Sequence, residues 1–125
     1  SFTNIDTLQE LLLDKAINQV SITFQLDNNL MTNDIIPHSQ LHLARLDTDG
    51  NIVDLTDYVI EGSSFFGGRL ENGIYYFNIT RYFHELLLDN SYTNKLYLLD
   101  RLANSNANRS IIKQEVELNI IYSDL

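Results

Sequence analysis

The sequence has no cysteine and no tryptophan, a single proline and a single methionine, and only eight basic residues against seventeen acidic ones. Without cysteine there can be no disulfide, thiolate zinc site or cysteine nucleophile. The eight Lys and Arg are scattered singly, and the net charge is −9. A nucleic-acid backbone is bound by basic side chains that displace its counterions, and this chain presents a repelling field instead. The same field disfavours an anionic membrane surface, and the acidity is most simply a solubility feature. The longest leucine runs, Leu11 to Leu13 and Leu86 to Leu88, are far short of the roughly 20 apolar residues that span a bilayer. No low-complexity segment or internal repeat interrupts the chain. It opens at Ser1 with no signal-peptide pattern, which suggests a processed protein or part of a longer one.

At 125 residues the chain reads as one domain, residues 1–125. That length can bury about two-thirds of the surface exposed on unfolding. The apolar fraction of 44% suits an ordinary globular domain.

Period-two alternation dominates. In Asn18 to Leu26, Val20, Ile22, Phe24 and Leu26 oppose Gln19, Ser21, Thr23 and Gln25, a half-buried strand. The stretch Asp27 to Pro37 reads as a long loop. Strands are predicted at Ser39 to Leu46 and Asn51 to Leu55, joined by an Asp49-Gly50 hairpin turn. Further short strands are expected at Tyr58 to Ile60 and Ser64 to Phe66, ended by a bulge or turn at Gly67-Gly68. The Asn72-Gly73 turn leads into Ile74 to Ile79, whose two aromatic-bearing faces predict a strand buried on both sides. Lys95 to Leu102, Ser110 to Gln114 and Glu115 to Tyr122 close the set, with Val116, Leu118, Ile120 and Tyr122 on one face of the last.

Two segments carry helical spacing instead. Asp6 can cap a first helix with Gln9 three residues on, placing Leu8, Leu11 and Leu12 on one face. Thr80 can cap Arg81 to Leu88, where Tyr82, Phe83, Leu86 and Leu87 form the apolar face. The expected fold class is therefore all-β: an antiparallel β-sandwich of jelly-roll type with two short helical insertions.

Three stretches together carry a family likeness. They are Ile17-Asn18-Gln19-Val20-Ser21-Ile22, then Tyr76-Phe77-Asn78-Ile79-Thr80 running into Arg81-Tyr82-Phe83, and the terminal Asn119-Ile120-Ile121-Tyr122. The chain resembles the C-terminal β-sandwich of the DUF4270 family of Bacteroidetes lipoproteins and, more distantly, is similar to jelly-roll modules of the DNRLRE type. The resemblance implies an exported protein, periplasmic or at the cell surface and associated with the outer membrane. It also implies a lipidated cysteine upstream of Ser1, through which alone the domain would meet a membrane. It brings no enzyme activity and no functional residues to transfer.

Each candidate site has a plain structural reading beside it. Asp47, Asp49, Asn51 and Asp54 gather oxygens near Gly50. In EF-hand register, however, Arg45 and Thr56 fall where the first and last ligands belong, which leaves a hairpin turn. His38, His42 and His84 have no chelating spacing. No serine sits in a nucleophile elbow. The carboxylates Glu61, Glu71, Glu115 and Glu117 show no glycosidase-like pairing. No catalytic residue, metal or cofactor is therefore expected. Tyr58, Tyr75, Tyr76, Tyr82 and Tyr97 suit a core. Phe65 and Phe66 stand apart: neighbours on a strand face opposite ways, so one of them must point outward, as a contact patch. Asn78-Ile79-Thr80 and Asn108-Arg109-Ser110 match the N-glycosylation acceptor pattern, without meaning in a bacterial protein. Asp6-Thr7-Leu8 fits a short bacterial O-glycosylation pattern at Thr7. The function expected is a non-catalytic, exported domain mediating protein interaction in an envelope assembly, with a carbohydrate-binding module of the same fold as the alternative.

Overall fold

The computed structural model describes residues 9–28, 31, 37–88, 96–99 and 116–124. The expectations placed on Asp6, Thr7 and Leu8, on most of the Asp27 to Pro37 loop, on the loop at 103–109 with its Asn108 pattern, on Glu115 and on the strand at 110–114 fall outside the described residues.

Two antiparallel sheets and a few short helices make up the described chain. The first sheet has the order β4-β5-β1-β7, from β1 (Lys15–Gln25), β4 (Gly67–Glu71), β5 (Ile74–Asn78) and β7 (Glu117–Asp124). The second has the order β3-β2-β6, from β2 (His42–Leu46), β3 (Ile52–Asp54) and β6 (Leu96–Leu99). One core draws on both: Val20 and Ile22 from β1, Tyr75 and Phe77 from β5, and Leu43 from β2. The alternation of β1 is realised, with Val20, Ile22 and Leu26 buried and Phe24 packed against them.

The run Ser39 to Leu46 is divided between the sheets. Leu41 N–H donates to the Gly68 carbonyl at 2.8 Å and the Leu70 N–H to the Ser39 carbonyl at 2.9 Å, so residues 39–41 line the outer edge of β4. From His42 onward the same extended chain pairs with β3 and β6. Both expected hairpin turns are present. Between β2 and β3, the Asp47 Oδ1 accepts the Asp49 and Asn51 N–H groups at 3.0 and 2.8 Å, and Asn72-Gly73 joins β4 to β5.

The Gly67-Gly68 irregularity is a bulge. Three steps of β4, from Gly67 to Leu70, oppose two steps of β5, from Phe77 to Tyr75. Both glycines have positive φ, and a Cβ on Gly67 would stand 2.2 Å from the Tyr76 carbonyl oxygen. On Gly68 it would meet the Leu41 oxygen at 2.2 Å and the Phe77 ring at 2.8 Å. Only a residue without a side chain closes the two sheets together here.

Four expectations are corrected. Tyr58 to Ile60 and Ser64 to Phe66 are helical, within α1 (Thr56–Glu61) and α2 (Ser63–Phe66). Their β-branched and aromatic content favours a strand in isolation, and tertiary packing overrides it. Tyr58 and Phe66 wrap the His42 ring at centroid distances of 4.7 and 5.6 Å. β5 is not buried throughout on both faces: Tyr75 and Phe77 are inside, while on the other face Asn78 is buried but Tyr76 is exposed. On β7, Leu118 and Ile120 pack on the core but Tyr122 is exposed, as is Val116 just before the strand; Tyr122 pairs Ile17 beyond the register shift at Asn18, and Val116 precedes the paired residues. Of the leucines expected inward on the first helix, Leu12 packs on the core but Leu11 is exposed.

Candidate functional site

The helical corner between β3 and β4 brings the unusual chemistry together. It starts with Asp57, which sequence reading did not single out. Asp57 is 1% exposed. Its Oδ1 accepts the Arg81 N–H at 2.8 Å and its Oδ2 the Tyr82 N–H at 2.9 Å. These are orphan donors of α3 (Thr80–Leu88), so a carboxylate from another element caps this helix. The Thr80 N–H goes to Asn78 Oδ1 at 3.2 Å, and the Phe83 N–H makes the first regular helical bond, to the Ile79 carbonyl. All four opening N–H groups thus have partners.

Thr80 therefore has a different task from the capping expected of it. Its Oγ1 accepts the Val20 N–H at 3.0 Å and donates to Asn78 Oδ1 at 2.7 Å, stitching the start of α3 to the middle of β1. At the other end of α3, the Gln9 Nε2 donates to the Leu87 carbonyl at 2.8 Å. Burial pushes the Asp57 carboxyl above the usual carboxylate range, against the Tyr82 and Arg81 N–H groups and the Arg81 charge, which favour its ionised form.

The two phenylalanines part company here. Phe66 is 1% exposed and sits in the core, 5.3 Å from the Phe77 ring. Phe65 is 53% exposed. The expected outward ring is Phe65, carried by a helical turn and not by a strand, and Phe66 is closed to any partner. The exposure extends upstream: Val59 and Ile60 on α1 are 68% and 58% exposed.

Phe65 also forms a wall of a groove of ≈ 600 Å³. The groove is also lined by the β1 bulge, where the register shift between Ile17 and Gln19 leaves Asn18 unpaired in the ladder. Asn78 and Thr80 at the β5–α3 junction line it too, with Arg81, His84 and Glu85 from the first turns of α3. Arg81 is engaged with Glu61 of α1 at 2.7 and 3.0 Å, and His84 Nε2 lies 3.2 Å from the Ile17 carbonyl. A second, smaller cavity of ≈ 360 Å³ on the far side of Phe65 is lined by Ser63, Arg69, Glu71 and Tyr76.

The remaining candidates resolve into structure. Asp47 shapes its turn through the two bonds above, and Asp54 Oδ1 lies 2.8 Å from His42 Nε2. His42 is a buried packing residue, and the backbone carbonyl of His38 accepts the Tyr75 hydroxyl at 2.6 Å. Tyr75 and Tyr82 are core residues, whereas Tyr97 is exposed on β6. Glu117 lies on an exposed position of β7. Asn78 is 5% exposed, with its Oδ1 committed to Thr80. Among the described residues no three His, Asp or Glu side chains converge as a metal site, and no helix is long and apolar enough to cross a membrane.

No family model, no curated protein and no solved structure matches the chain.

Proposed function

We propose that this chain is a non-catalytic interaction domain that docks a protein partner on the α1–α2 corner. The observation that carries the reading is the row of exposed apolar side chains Val59, Ile60 and Phe65 on eleven residues of a chain whose net charge is −9. An exposed apolar patch with acidic surroundings suits a partner that offers an apolar anchor ringed by Lys and Arg. The two antiparallel sheets around one core are consistent with a β-sandwich, and the jelly-roll form of it belongs to the same proposal. So does the setting: the resemblance to the envelope lipoproteins supports an exported domain, held at the outer membrane by an anchor upstream of Ser1.

A photo-crosslinking residue at position 60, used in the native cells, tests the docking. The expected result is one defined adduct, competed away by unlabelled domain but not by its Val59→Ser/Ile60→Ser form, and weakened by salt. Equal competition by both forms would sink the proposal.

A further inference from the structure

We infer that the groove between Phe65 and the β1 bulge is a binding site for a neutral sugar. The inference rests on the groove itself and not on the protein-docking reading. Its volume falls within the roughly 300–1,000 Å³ of small-ligand pockets. One wall is an exposed aromatic ring held on a short helical turn between Gly62 and Gly67. Such a ring offers a flat apolar face of low conformational-entropy cost to the C–H face of a pyranose.

The same groove carries polar groups that the fold leaves unused. Among the described residues, the Asn18 side chain, the Asn78 Nδ2 and the Glu85 carboxylate have no hydrogen-bond partner, while Asn78 as a residue is only 5% exposed. Its Oδ1 is committed to Thr80 at 2.7 Å, which fixes the amide and leaves the nitrogen as the donor for a ligand. Donors and acceptors are therefore both present on the groove. That pattern matches hydroxyls, each of which both donates and accepts.

Charge selects a neutral occupant. Arg81 is neutralised by Glu61, and Asp57 is turned to the α3 N–H groups. Among the described residues of the groove the uncommitted charge is Glu85, which repels an anion. Of the three carboxylates on the groove, Glu61 is held by Arg81 and Asp57 by the α3 N–H groups, which leaves Glu85 alone to face a cation. Asn18 is available because the bulge removes it from the strand ladder, so this irregularity of β1 has a use.

Amide-resolved NMR titration of the whole chain tests the site. Cellobiose, maltose, xylobiose and N,N′-diacetylchitobiose serve as soluble probes, dextran and mannan as polysaccharide sources, and a released high-mannose glycan as a glycoprotein source. The expected result is saturable shifts at Asn18, Gln19 and His84 with at least one of them. Phe65→Ala and Asn18→Ala should each weaken binding about ten-fold, the weight of one stacking contact or one hydrogen bond, with the melting midpoint unchanged. Val59→Ser/Ile60→Ser should leave sugar binding intact, which separates this site from the protein-docking face. No shift with any probe, shifts elsewhere on the domain, or equal affinity in the Phe65→Ala and Asn18→Ala forms would overturn the inference.

Discussion

Replacing Asp57 by alanine should destabilise the domain far more than its place on a six-residue surface helix suggests. The side chain accepts two N–H groups of α3 at 2.8 and 2.9 Å and is 1% exposed. Hydrogen bonds to a charged group contribute about 1.5–3 kcal/mol each, and loss of a helix cap costs about 0.5–2 kcal/mol. Against this, removing a buried carboxylate relieves its desolvation, which is large enough here to raise its pKa. The net loss for Asp57→Ala is therefore about 2–3 kcal/mol, below the sum of the two bonds. Asp57→Asn keeps one acceptor and should lose about half as much. Urea unfolding reads the difference: with a slope of about 1–3 kcal/mol/M, the Ala midpoint falls by roughly 1–2 M. Arg81→Ala breaks only the exposed pair with Glu61 and should cost less than about 1 kcal/mol. A loss for Asp57→Ala no larger than that for Arg81→Ala would refute the tertiary cap. The pH dependence supplies a second check. A carboxyl whose folded pKa is raised contributes stability in full below its unfolded value of 3.8 and loses it as pH rises through the folded value. The gap between wild type and Asp57→Asn should thus be widest in acid and narrow as pH rises across that window.

Other expectations follow from the same packing. Gly68→Ala drives a Cβ to 2.2 Å from the Leu41 oxygen, and should cost over about 3 kcal/mol in a thermal melt, whereas Gly50→Ala meets nothing within 4 Å and should show only the penalty of its backbone conformation. Phe66→Ala should lose about 3–5 kcal/mol and Phe65→Ala stay within about 0.5; equal losses in urea titrations would contradict their different burial. Thr80→Val removes the hydroxyl that ties Val20 to Asn78 and should cost about 1–3 kcal/mol by leaving buried polar groups unpaired. Millimolar CaCl₂ should leave the melting midpoint unmoved, because Asp47 Oδ1 is held by its own turn and Asp54 faces His42.

What the sequence shows and what it hides divide along one physical line. Strands with one wet face announce themselves by alternation, so β1 and the described part of β7 were legible, as were both Asx-Gly turns. α1 and α2 were not: six and four residues are too few for a helical period to appear, and Val59-Ile60 and Phe65-Phe66 mimic strand composition. The outward aromatic was found, but a strand's alternation gave no means of choosing Phe65 over Phe66. Asp57 carries no local signal at all, since its partners lie 24 and 25 residues away. In the sequence Asn18 is the polar start of an alternating run, because a bulge is a property of a pair of strands and a single strand cannot display it.

The division of residues 39–46 between two sheets bears on how the domain comes apart. One short stretch of backbone bonds β4 in one layer through Ser39 and Leu41, and β3 and β6 in the other through His42 to Leu46. Neither layer can fray at this point without loosening the other. The sheets should therefore melt together, with a calorimetric enthalpy equal to the van't Hoff value, and a partner that grips either layer would raise the thermal resistance of both.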